Sequence, residues 1–133
     1  MTSNISLTSI PVTAVFAALL ALLLVAVSIR VTLLRRKKKV SFADGGDKEL
    51  ARAIRVQGNF IEYVPMALIL IGLLEWMSVK SWVIYGLGAA LFIGRVSHAW
   101  GLYAGVFQAR AAGVALTWAV LGVAALLVLG LVA

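Results

Sequence analysis

Arg52-Ala-Ile-Arg55-Val-Gln-Gly-Asn59-Phe-Ile-Glu62-Tyr63-Val-Pro65 is the stretch on which the reading of this chain turns. Arg52, Arg55, Asn59 and Glu62 follow one another at intervals of three, four and three. At 100° per residue that spacing confines them to an arc of roughly 80° on one helix face. The segment is otherwise apolar and runs on without charge from Glu62 to Glu75. A polar stripe inside a long apolar helix is unusual, and its surroundings show why.

The chain has 133 residues, of which 63% are hydrophobic and only 13% charged. Soluble domains carry about 25% charged residues, so an ordinary soluble domain, a disordered chain and a nucleic-acid module of the usual kind are excluded. Ile10–Ile29 is an uncharged run long enough to cross a hydrocarbon core of roughly 30 Å. Its basic residues, from Arg30 to Lys39, follow the run instead of preceding it, which reads as a retained helix and not a cleaved leader. The expectation is an all-α integral membrane four-helix bundle, one transmembrane domain over 1–133, with helices near 9–34, 48–77, 80–104 and 110–132. The short joint near Met77–Ser81 makes the second and third helices antiparallel neighbours. Asp47, after Asp44-Gly45-Gly46, is expected to cap the second helix.

The charges divide by side. With four spans, eleven of the twelve Lys and Arg and four of the five acids fall on one face, so the net charge of +7 resides there. Under the positive-inside rule the basic 30–55 segment is cytoplasmic and both termini lie outside, in a bacterium the periplasm. The Arg35–Lys39 run then reads as contact with anionic lipid, with no nucleic-acid partner.

Depth singles out the stripe. Counting inward from Glu75 at about 1.5 Å per residue puts Glu62 about 20 Å down, Asn59 about 24 Å and Arg55 about 30 Å. Counting from Lys80 on the third helix puts Arg95 about 22 Å and His98 about 27 Å deep, so Glu62 and Arg95 are expected at matching depth. A charge at mid-membrane costs at least ~2.5–3.5 kcal/mol and is not expected to face lipid. Gly94, His98, Gly101 and Gly105 make one narrow face on which another helix can approach closely. Pro65, one turn beyond Glu62, is expected to free the carbonyl of Ile61 and bend the second helix.

Two readings fit these residues. Arg55, Asn59, Glu62 and Arg95 can pair with one another to fix helix register. Alternatively they form a ligand site, because Arg52, Arg55, Arg95 and Arg110 outnumber the single buried carboxylate of Glu62. A small anion with several carboxylates would match that excess through forked, charge-assisted hydrogen bonds. One histidine, one membrane glutamate and no cysteine are too few ligands for zinc, so no metal is expected. A small proton-coupled exporter, which also has four spans, fits poorly because its essential glutamate lies in the first span, where this chain has no acid.

The quoted stretch closely resembles the second-helix signature of the MAPEG family, the membrane-associated proteins of eicosanoid and glutathione metabolism. Gly94-Arg95-Val-Ser-His98-Ala-Trp-Gly101 resembles that family's third-helix motif. The resemblance is strongest from about Asp47 to Thr117, and the chain looks like a bacterial-type member similar to microsomal glutathione transferase. It implies a homotrimer with glutathione held between subunits near the cytoplasmic face. It also implies a glutathione-dependent transferase or peroxidase whose second substrate is a lipophilic electrophile or hydroperoxide dissolved in the bilayer. Carried onto this chain, Arg52, Arg55, Asn59, Glu62, Arg95 and His98 would bind glutathione, and Arg110 would stand by its sulfur as the catalytic residue. A non-catalytic member used for binding or assembly is the alternative. The sequence departs from the animal enzymes at Gln57 and Gly58, where they tend to have His and Arg. It departs again at Leu102, where they have a tyrosine that is here one step on, at Tyr103.

Overall fold

The computed structural model describes residues 10–133, and it contains four helices: α1 (Pro11–Lys38), α2 (Lys48–Trp76), α3 (Ser81–Ala104) and α4 (Phe107–Val132). Residues 1–9, including the expected start of the first helix at residue 9, lie outside the described residues. Helix α1 opens with proline at its first position, where the missing amide proton costs nothing. It continues through the basic run to Lys38, four residues beyond the expected end, because Lys and Arg are good helix formers that also suit a C-terminus.

Asp47 caps α2 as expected, its carboxylate accepting from the Leu50 amide at 2.8 Å. Helix α2 passes through Pro65 without interruption, so the proline does not end it. Gly105 closes α3 in the left-handed conformation, φ 72°. It therefore terminates the small-residue face instead of extending it, and α4 starts three residues earlier than expected.

Helices α2 and α3 are central; α1 packs on both, and α4 packs on both from another side. The main core joins Leu20, Phe60, Ala67, Ile71, Leu91 and Val120, and smaller apolar clusters around Val56 and Leu50 continue it towards the basic end. The α3–α4 seam is the tightest. A Cβ on Gly94 would meet the Gly113 carbonyl and the Thr117 hydroxyl, and a Cβ on Gly101 would run into the Arg110 backbone. Close approach of this kind is what small residues allow between membrane helices.

Among the described residues, α1, α2 and α4 are long and apolar enough to cross a membrane by composition. Helix α3 is not among them, because Arg95 and His98 lower its hydropathy. Its 24 residues nonetheless extend about 36 Å, and its polar side chains point inward. Leu22, Ile29, Leu33, Met66, Ile69 and Leu126 are exposed on the outside, a surface suited to lipid or another helix and unsuited to water.

Candidate functional site

The α2 stripe divides into a buried and an exposed part. Asn59, towards the buried side, is itself buried, whereas Arg55 and Glu62 lie on the far margin with side chains 52% and 47% exposed, and Arg52 reaches outward at the basic end. Arg55 and Glu62 are two turns apart and pair with each other, Nη1 to Oε1 at 3.0 Å. This differs from the pairing that depth suggested. Arg95 is at a compatible level but turns away from Glu62, into the α2–α3–α4 interior.

There Arg95 is only 2% exposed. It donates to Asn59 Oδ1 at 2.5 Å, to Thr117 Oγ1 at 2.7 Å and to the Gly113 carbonyl at 3.3 Å. Thr117 in turn donates to the Gly113 carbonyl at 2.8 Å. All partners of the guanidinium are neutral, and its Nε has none. Desolvating a charge is costly, and hydrogen bonds to neutral dipoles offset that cost only in part. The network fixes the Asn59 amide with its oxygen towards α3. His98, also 2% exposed, lies in the same seam, where a Cβ on Gly113 would strike its backbone. Thr117 was not foreseen as a site residue. The available signal was Gly113 and Thr117 one turn apart on α4, a small and a hydroxylated residue on a single face.

Arg52 and Arg110 meet elsewhere. Together with Gly101, Leu102, Gly105 and Phe107 they line an open cleft of about 220 Å³ where the start of α2, the end of α3 and the start of α4 converge. Arg110 lies in the first turn of α4, which has no side-chain cap and no acidic residue. Uncapped amides at a helix start attract anions. Among the described residues no carboxylate lies within ion-pair distance of Arg52 or Arg110, so neither arginine of the cleft is ion-paired. The structure thus brings Arg52 to Arg110, Arg55 to Glu62 and Asn59 to Arg95, and it keeps His98 behind them.

Tyr103 does not take up the role that its neighbour's position would imply. One residue corresponds to 100° of rotation, and its ring turns to α1, where the Arg30 guanidinium sits 4.4 Å from the centroid. At the opposite end, Glu75 accepts from the Val12 and Thr13 amides at 2.8 and 2.7 Å, a long-range cap on α1.

With that geometry established, the model of the MAPEG family matches residues 13–130. Over 110 residues the chain is 38% identical to Inner membrane protein YecN of Escherichia coli strain K12, covering 83% of this chain and 84% of that one. The protein of the same name from Escherichia coli O6:H1 aligns with the same identity and coverage.

Proposed function

This chain belongs to the MAPEG family, and from that premise we propose that it binds glutathione at its basic end and uses the thiolate against lipophilic electrophiles. The observation that carries the proposal is the cleft lined by Arg52 and Arg110, neither of which is ion-paired among the described residues. Glutathione brings two carboxylates and one ammonium group. Arginine forks suit the carboxylates, and Glu62, held by Arg55 but half exposed, suits the ammonium. Asn59, oriented by Arg95, offers an amide beside them. Arg95 and His98 act from inside, as positioning residues.

The chemistry needs no protein nucleophile. A free thiol has a pKa near 8.5, so only a few per cent is thiolate at pH 7. A guanidinium near the sulfur stabilises the thiolate, and Arg110, at the uncapped start of α4, would supply it. The sulfur then forms a bond to the electrophilic carbon while the leaving group departs with its electron pair. Holding both reactants together provides the remaining acceleration by proximity. A homotrimer in an inner membrane, with the 30–55 segment cytoplasmic and both termini periplasmic, completes the reading. In support, the relative is named an inner membrane protein and the positive charge is one-sided.

A second reading, a non-catalytic member used for binding or assembly, is favoured by one feature: both Nη groups of Arg95 are already held by Asn59, Thr117 and Gly113. Calorimetry on detergent-purified protein separates the two. Glutathione binding weakened by Arg55→Ala and Glu62→Gln is expected; no binding, or binding indifferent to both substitutions, refutes the site. Binding without conjugation of a nitroarene leaves the site standing and removes the enzyme.

A further inference from the structure

Below the apolar part of α1 the chain makes a feature that glutathione chemistry does not use. Arg35, Arg36, Lys39, Val40 and Ser41 line an open cleft of about 520 Å³ at the basic end. Its frame is held from several directions. Arg35 Nη1 donates to the Ala43 carbonyl at 2.7 Å. Val40 donates its amide to the Arg35 carbonyl at 3.1 Å. Lys38 bridges to Asp47 at 2.7 Å and to Glu49 at 3.1 Å. These contacts consume Lys38, Asp47 and Glu49, while Asp44 turns back on its own loop to accept from the Gly46 amide at 2.9 Å. Among the described residues Arg36 and Lys39 have no carboxylate within ion-pair distance.

Directly above lies a second groove, about 420 Å³, along Leu24, Val25, Ser28, Ile29, Thr32 and Leu33. Its two hydroxyls are used internally: Ser28 Oγ accepts from Gln57 at 2.9 Å, and Thr32 Oγ1 donates to the Ser28 carbonyl at 3.2 Å. The groove therefore offers an apolar wall. Val25, Ile29, Thr32 and Arg36 follow intervals of four, three and four, which puts them on one stripe of α1. The stripe thus leads from the apolar groove towards the cationic cleft, the Arg36 backbone lying about 10 Å along the helix from that of Ile29. Beside the cleft Phe42 is 88% exposed, placed to enter the headgroup layer.

We propose that α1 carries a binding site for one anionic phospholipid, its phosphate on Arg36 and Lys39 with Ser41, and an acyl chain along Val25, Ile29 and Leu33. The paired apolar and cationic surfaces match the two ends of such a molecule. Attraction to the membrane's surface charge is similar for any nearby Lys or Arg. A built site differs from that diffuse field in depending on which cation is removed.

The test uses full-length protein purified in dodecyl maltoside, without glutathione, and native mass spectrometry with dioleoylphosphatidylglycerol or dioleoylphosphatidylcholine. The expected result is one lipid per chain, with the glycerol lipid held at least about tenfold more tightly. Arg36→Gln combined with Lys39→Gln abolishes the preference, whereas Lys37→Gln, which leaves the cleft lining intact, changes it less than about twofold. Ile29→Trp, which fills the groove, weakens both lipids. Equal retention of the two lipids by the native chain overturns the proposal, as does equal loss on Lys37→Gln. Displacement by millimolar inorganic phosphate would make this a phosphate-ion site and overturn the lipid assignment. Because glutathione is absent throughout, the outcome is independent of the proposed activity.

Discussion

Arg95, inside α3, and Arg110, in the first turn of α4, have contrasting surroundings. Arg95 lies in a closed seam, both its Nη groups bound by Asn59, Thr117 and the Gly113 carbonyl. Arg110 lines an open cleft with Arg52, and among the described residues neither has a carboxylate within ion-pair distance. Both are cations in or beside an apolar bundle, and residue type does not distinguish them. The partner set does. A guanidinium surrounded by protein dipoles holds helices together, and one lining an open basic cleft is available to an anion.

The sharpest way to break this contrast is to remove the closed arginine. Arg95→Met leaves the Asn59 oxygen buried without its donor and should cost about 2–3 kcal/mol, read as a lowered unfolding midpoint in detergent. Arg95→Lys should recover less than half of that, because a single ammonium cannot fork between Asn59 and Thr117. If Arg95→Met were neutral, the closed seam would not be a stabilising element.

The reverse pattern is expected on the open side. Arg110→Gln should weaken glutathione binding about tenfold to a hundredfold, the loss of one charge-assisted hydrogen bond worth about 1.5–3 kcal/mol. Stability should change by less than about 0.5 kcal/mol, as at a surface position. A titration and a melt of the same sample check both halves.

Much of the architecture was legible in the sequence because membrane helices announce themselves through long uncharged runs and charge asymmetry. Asp47 was legible as a cap because its partner, Leu50, is three residues away. The angular stripe was legible too, but the division within it was not. Whether Asn59 or Glu62 meets Arg95 depends on the rotation of α3 about its axis, which the Gly94–Gly113 contact sets. Thr117 was hidden as one hydroxyl on an otherwise apolar α4. Glu75 was hidden by distance, since it caps amides 62 and 63 residues earlier in the chain.

That hidden cap gives a smaller prediction at the far end of the bundle. Glu75→Ala leaves the first amides of α1 without an acceptor and should cost about 1–2 kcal/mol. Glutathione affinity should stay unchanged, since the cap lies at the opposite end from the Arg52–Arg110 cleft.

The smallest effect is expected at Asp47. The Lys38 ammonium, and then the Leu50 amide, hold its carboxyl below the ordinary carboxylate value. A carboxyl depressed in the folded state stabilises above its unfolded pKa, about 3.9, and loses that contribution as pH falls through the lower folded value. Acid melts should therefore show a shallow loss beginning below about pH 4, flattened in Asp47→Asn.

The contrast between closed and open arginines is tested most directly by determining the structure of the full chain in lipid nanodiscs with millimolar glutathione. The account predicts a glutathione carboxylate within hydrogen-bonding distance of Arg52 or Arg110, with Arg95 still bound to Asn59 and Thr117. Guanidinium groups of Arg52 and Arg110 closed onto protein carboxylates or carbonyls, with no glutathione between them, would contradict it.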